Sequence, residues 1–550
     1  MPTLRAETRP FDLLRIPILG RFLRWRHART VLQGGMLGLA ILLILDGLFG
    51  PQIAPRNLAG VLPWVHWRGF VVLALLIAGN LFCMACPFML PRRLAKRLLP
   101  AGRPWPRPLR SKWLAVGLLF VFFWAYEAFS LWQSPWLTAW VAITYFVAAF
   151  VIDGFFRGAS FCKHVCPIGQ FNFMHATVSP LEVGVREPET CSDCATKDCI
   201  RGRYAGTSAV PADRPAVSSM GGGGSTSASG IATPPGPLAL DSASGTVRLP
   251  EVAPPPAMAS PSVGSAHDEP AGRGRLVQNG CELWLFQERK VGNVDCTFCM
   301  ECVHACPHDN VGILARVPGA ELWRNPWRSG VGRLTERPDL AGLAVLLTFA
   351  AFVNAFGMVR PVQAVLQALG RALGSPPEAL ILLAFFAGAL LLLPLLAMGA
   401  TSASSRHFSG GQEKLTEIGT RYAYGLVPLG LGMWSAHYLF HLLLGGLTIV
   451  PVFHAYLEDL NLAAPGAPAW GMGPMIPETW LFPVQVLLLQ GGLAGSLWVL
   501  LRIARREHGD TTRAKRAFAP WALFVTVLFA TGIWLLLQPM EMRGTFMVDG

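Results

Sequence analysis

Nine stretches of this chain are apolar over enough residues to cross a bilayer as helices, and no other feature narrows the fold as far. A hydrocarbon core of about 30 Å asks for about 20 residues of helix, and backbone inside it must satisfy its own polar groups. The stretches lie near residues 31–50, 67–85, 113–133, 137–156, 339–358, 378–400, 424–450, 481–503 and 520–538. One alone would read as a buried helix of a soluble domain. Nine together, in a chain that is 52% hydrophobic and 14% charged, predict a mainly α, polytopic helical membrane protein.

Basic charge falls in every second connection. Seven Arg lie in the first 30 residues, eight Lys or Arg in 91–112, three in 401–423 and six in 502–519. The alternate connections hold only Arg56 in 51–66 and Arg360 and Arg371 in 359–377, with no Lys or Arg in 134–136 or 451–480. If all nine stretches span, the basic connections share one side, and the positive-inside rule makes that side the cytoplasm. The net charge of +13 then orients the chain and meets anionic lipid; it makes no case for nucleic acid. Phe11, Leu14, Ile18, Phe22 and Trp25 recur at helical spacing among arginines, which predicts an interfacial helix before the first span. The charged region is too long, and the first apolar stretch too complete, for a cleavable signal.

One long hydrophilic region interrupts the spans. The expected organisation is a basic cytoplasmic arm (1–30), a four-helix membrane unit (31–156), a cytoplasmic domain (157–337) and a five-helix membrane unit (338–550). Residues 205–275 are rich in Gly, Ser, Pro and Ala and cannot bury a core, so they are expected to form a disordered insert in the cytoplasmic domain. Loop closure grows costly only slowly with length, so the domain tolerates it.

On either side of the insert stand cysteines. Cys296, Cys299, Cys302 and Cys306, with Pro307 next, read C-x2-C-x2-C-x3-C-P, the ligand run of bacterial ferredoxins. Three closely spaced thiolates grip three corners of one Fe4S4 cube, and the fourth reaches a second cube. Cys191, Cys194 and Cys199 supply a C-x2-C-x4-C run, and Cys281 stands alone. The ferredoxin crossing rule assigns Cys191, Cys194, Cys199 and Cys306 to one cube and Cys281, Cys296, Cys299 and Cys302 to the other. The expectation is a ferredoxin-like α+β domain with two [4Fe–4S] clusters. The first run departs from the pattern in its second gap, and Cys281 is followed by Glu282 rather than proline. A zinc site, which favours separated C-x2-C pairs, is the competing reading of that run. Twelve cysteines in a reducing compartment argue for metal ligands or redox thiols over structural disulfides.

Four more cysteines sit at the membrane edge. Cys83 and Cys86 precede Pro87, and Cys162 and Cys166 precede Pro167, each pair at the end of an even-numbered span. The first four spans therefore read as a duplicated hairpin closed by a Cys-Cys-Pro signature. Proline ends each helix and leaves thiols and free backbone groups at the interface. Such thiols bind a metal or form a dithiol–disulfide couple. Paired thiols of this kind followed by two Fe4S4 runs resemble the membrane polyferredoxins, among them accessory proteins of nitrate and nitrous-oxide reductases and the cytochrome-oxidase accessory ferredoxin. The resemblance covers about residues 31–310 and rests on Cys162, Cys166, Pro167 and the Cys296–Cys306 run; the Cys83–Cys86 pair is one residue short of the family spacing. It implies a bacterial inner-membrane iron–sulfur protein that relays electrons between the quinone pool and a respiratory or redox protein partner.

The seventh stretch carries Met433, His437 and His441 on one helical face. Ionisable groups within a bilayer default to a functional reading, here copper or haem b, against a plain pair of hydrogen-bonded histidines. Asp46, Glu127 and Arg68 fall toward the other membrane face, where a carboxylate–Arg pair is the structural expectation. The sequence thus points first to an electron conduit. A cupric reductase or copper-centre assembly factor using the Cys-Pro thiols is the second reading, and a non-catalytic redox sensor or scaffold the third.

Overall fold

The computed structural model describes residues 11–100, 102–205, 275–462 and 467–540. The body of the expected insert, 206–274, and the first ten residues of the basic arm lie outside the described residues. The chain divides into two units, Met1–Arg203 with Leu276–Gly550, and Tyr204–Arg275. All twelve cysteines belong to the first.

Among the described residues its frame is nine apolar helices: α1 (Ala28–Phe49), α2 (Leu58–Ile77), α3 (Trp113–Ala128), α4 (Pro135–Phe155), α5 (Pro338–Phe356), α6 (Glu378–Ser409), α7 (Leu415–Asp459), α8 (Glu478–His508) and α9 (Thr511–Leu536). Eight of them are long and apolar enough to cross a membrane, and a multi-pass membrane protein follows. The exception is α3, with 16 residues. Its stretch was expected to run to residue 133, but the chain turns at Ser130, whose φ is +43°. Two helices carry π turns beside prolines: Leu62–Trp67 in α2, at Pro63, and Gly388–Leu392 in α6, just before Pro394. A proline lacks the N–H for its helical bond, and widening the turn accommodates it.

The helices before and after the cysteine-bearing segment pack on one another. Trp434 of α7 is fully buried, 6.1 Å from the ring of Phe123 in α3 and 5.4 Å from Phe171, and its indole N–H donates to the Leu347 carbonyl of α5 at 2.9 Å. Helices α7 and α8 approach through glycines: a Cβ built on Gly492 would stand 2.9 Å from the Pro428 carbonyl and 3.1 Å from the Gly432 Cα.

The cysteine-bearing segment is built around two antiparallel strands, β1 (Leu181–Val185) and β2 (Val311–Ala315), with Leu181 opposite Ala315 and Val185 opposite Val311. It is tied to the helix ends that carry the basic connections. Lys112, at the start of α3, pairs with Asp295 at 2.6 Å; Tyr424 of α7 donates to the Leu334 and Arg337 carbonyls at 3.0 Å; Arg506 of α8 donates to the Trp323 carbonyl at 2.6 Å. The interfacial helix expected over residues 11–29 is shorter, Pro17–Arg24. Ahead of it the Ala315 N–H donates to the Phe11 carbonyl at 2.8 Å, and buried Asp12 pairs with Arg186 at 2.8 Å. The free edge of β2 thus captures part of the arm as backbone partner.

Asp46 accepts the Leu58 N–H at 2.6 Å, serving a helix start, and the Arg68 guanidinium lies 4.6 to 5.2 Å from the rings of Trp64, Tyr126 and Tyr438. Aromatic faces attract a cation through their ring quadrupole.

Candidate functional site

The cysteines fall into three sets of four. The first gathers around Asn310, which follows the ferredoxin run. Its backbone N–H donates to Cys306 Sγ at 3.3 Å and its side-chain amide to Cys191 Sγ at 3.4 Å. The same side chain exchanges hydrogen bonds with the backbone of Glu187, at 2.7 and 2.9 Å, and so fixes the entry to the helix that carries Cys191. Cys191, Cys194, Cys199 and Cys306 line one small pocket together with Phe286 and Pro307. Burial pushes the Cys199 thiol up to about 12, and Cys306, Cys191 and Cys194 add to the rise by charge repulsion.

The second set is Cys281, Cys296, Cys299 and Cys302, all buried. Asp295, Phe298 and Met300 alternate with these cysteines and have φ of +61°, +53° and +64°. Left-handed residues interleaved in this way turn the chain sharply at each cysteine. Non-glycine residues hold that conformation at a cost, which marks a site the surroundings enforce. Cys281 joins the two sets: its N–H donates to the Cys199 carbonyl at 2.8 Å, and its Sγ accepts the Leu285 N–H at 3.4 Å. Burial, then Cys281, Cys299 and Cys296, raises Cys302; burial lifts Cys299 to about 11.

The third set is Cys83, Cys86, Cys162 and Cys166. Cys162 and Cys166 are buried and the first pair is half-buried. Asn172, on the helix Pro167–His175 that follows Cys166, donates to Cys83 Sγ at 3.2 Å. Cys162 Sγ donates to the sulfur of Met89, three residues beyond Cys86, at 3.1 Å. Burial pushes Cys83 up to about 11 and Cys166 up to about 12. Beyond burial, Cys83 and Cys166 add to the rise of Cys86, and Cys166, Cys86 and Cys83 to that of Cys162, while Cys296 of the second set adds to that of Cys83.

Among the described residues no three His, Cys, Asp or Glu side chains converge to hold a single metal ion. A cubane asks for something else, since each thiolate binds its own corner iron. The N–H donors to sulfur and the grouping by fours suit that donor set.

Charged residues missed by sequence reasoning surround these sulfurs. Arg29 of α1 bonds Glu301 at 2.9 Å and Glu282 at 3.3 Å, and Arg92 pairs with Glu282 and Asp153. Lys112 and Lys163 share Asp295, the residue before Cys296. Asn80 donates to the Cys296 carbonyl at 2.8 Å. The one available signal was Glu282 itself, the residue after Cys281 that broke the proline pattern. His164, between Cys162 and Cys166, stacks on Trp105 at 5.1 Å. Met433, His437 and His441 are fully buried on α7, the two imidazoles edge to face at 5.3 Å and Met433 against the position of Gly532.

Comparison with protein-family models, with characterised proteins and with solved structures finds no match to the chain.

Proposed function

We propose that this is a membrane-bound iron–sulfur electron-transfer protein. Cys191, Cys194, Cys199 and Cys306 hold one [4Fe–4S] cluster in a ferredoxin-like domain, and Cys281, Cys296, Cys299 and Cys302 hold the other. Asn310 carries the reading, because its two bonds to sulfur join Cys306 to Cys191 across 115 residues of chain, the crossing that the ferredoxin spacing requires. When bound, such clusters supply one-electron transfer at potentials set by burial, charge and hydrogen bonds to sulfur. The chain's own part is to fix those terms. Asn310 and Leu285 donate N–H groups to sulfur, the buried loop of Cys296, Cys299 and Cys302 keeps water from the second set, and Arg29 and Lys112 hold cationic charge beside the Cys296 loop.

The basic connections support a cytoplasmic position for the domain. The resemblance to membrane polyferredoxins supports a quinone or quinol in the lipid phase and a redox protein partner. The pairing is tested by serine substitution in anaerobically purified protein. Cys306→Ser and Cys191→Ser should abolish the same paramagnetic resonance signal, and Cys302→Ser and Cys281→Ser the other. Loss of one signal by both Cys306→Ser and Cys302→Ser, with Cys191→Ser silent, would sink the assignment.

A further inference from the structure

We propose that Cys83, Cys86, Cys162 and Cys166 together hold a third iron–sulfur cluster, at the junction of the duplicated hairpins. The proposal rests on the electron-transfer reading above but uses none of its eight ligands.

The two pairs differ in spacing, C-x2-C against C-x3-C, and on spacing alone they need not share a centre. The backbone removes that difficulty. Cys86 and Cys166 have nearly the same conformation, φ −61° and ψ 121° against φ −61° and ψ 113°, and each is followed by a proline that opens a helix. The extra residue of the second pair sits in a π turn over Phe161–Val165, closed by the Cys166 N–H on the Phe161 carbonyl at 2.8 Å. The first pair closes with a tighter turn, from the Cys86 N–H to the Cys83 carbonyl at 3.4 Å. A π turn holds one residue more than an α turn and often marks a functional site. The duplicated signature is therefore kept in shape although it is broken in spacing.

Two contacts then bind the pairs face to face, in opposite directions: Asn172 beyond Cys166 reaches Cys83, and Met89 beyond Cys86 reaches Cys162. The Gly169 N–H donates to Cys166 Sγ at 3.3 Å. Two guanidinium groups lie beside the set. Arg29 is within electrostatic reach of Cys86 and Cys299, and Arg92 of Cys162 and Cys299. Arg92 Nη1 and Arg29 Nε are buried without a hydrogen-bond acceptor. Both guanidinium groups are paired with carboxylates, Arg29 with Glu282 and Glu301 and Arg92 with Glu282 and Asp153, and their charge beside the set would also offset that of deprotonated cysteine ligands.

Copper is the main rival, because thiolate and thioether sulfur select it. The burial of Cys162 and Cys166 suits a resident group better than a metal ion taken up and released, and the four sulfurs do not converge on one ion. Four-cysteine sites hold [2Fe–2S] or [4Fe–4S] clusters.

The test is iron content and low-temperature paramagnetic resonance on the full-length protein, purified without oxygen, against the Cys162→Ser/Cys166→Ser double variant. Three clusters give about ten to twelve irons per chain, and the double variant should lose about two irons for a [2Fe–2S] or about four for a [4Fe–4S] centre, with both other signals intact. Asn172→Leu keeps every cysteine and guards against a double variant that fails to fold. It should shift the midpoint potential of the third signal alone. Wild-type protein with about eight irons that the double variant does not lower, or with copper or zinc bound at the pairs, overturns the third cluster and leaves the other two standing. Wild-type protein with no reducible iron signal overturns the electron-transfer reading itself.

Discussion

Arg29 shows what one residue can hold together. It leaves α1 with its guanidinium between Glu282, next to Cys281, and Glu301, next to Cys302, and all three side chains are about 10% exposed. Removing one member of a buried ion network strands the others, at about 3 to 5 kcal/mol. Arg29→Ala should therefore lower thermal stability in detergent by that order and loosen the second cysteine set. An unchanged melting temperature would show that the network is idle. Asn310 makes a finer prediction. An N–H aimed at sulfur favours the more negative, reduced state, and a hydrogen bond to a charged acceptor is worth about 1.5 to 3 kcal/mol. Asn310→Ala should lower the potential of the Cys191–Cys306 centre by on the order of 50 mV, since about 1.4 kcal/mol corresponds to 59 mV for one electron. A redox titration followed by paramagnetic resonance reads it; a rise in potential would contradict the role. The cysteines were legible because ligand spacing is local. Arg29, Asn80 and Asn172 were not, because each meets its cysteine loop across tertiary contacts that leave no periodic trace in the chain.

Among the elements, the apolar helices were the most legible, because apolar length alone decides them. Their ends were less so: α3 stops at Ala128, and α6 runs to Ser409, past the apolar stretch that ends near 400. Part of the expected interfacial helix became an edge partner of β2, since an exposed strand edge competes for backbone that amphipathic spacing alone assigns to the membrane surface. The joint between α7 and α8 depends on having no side chain at Gly492, where a Cβ would meet the Pro428 carbonyl at 2.9 Å. Gly492→Leu should cost about 1 to 3 kcal/mol through overpacking. The neighbouring Gly491, with nothing within 4 Å of a built Cβ, should accept Ala with little change. Equal melting temperatures for Gly492→Leu and Gly491→Ala would show that the two helices are not in tight contact there.

For the whole molecule, charge and packing agree. Basic residues from several helix ends, Arg29, Arg92, Lys112 and Arg506 among them, meet the cysteine-bearing segment. Reporter fusions or cysteine labelling should find the 91–112 and 401–423 connections on the cytoplasmic side and the 51–57 and 373–377 connections on the other. The reverse result would turn the cysteine sets outward and remove the reducing compartment they need. The central claim is that eight cysteines, brought together from both sides of residues 206–274, cage iron in two sets. Its most direct test is the metal content of protein purified without oxygen, with its resonance spectrum before and after reduction. Two clusters require at least about eight irons per chain, matched by acid-labile sulfide, and two signals that appear on reduction. Zinc in place of iron, or fewer than about four irons with no such signal, would contradict that claim.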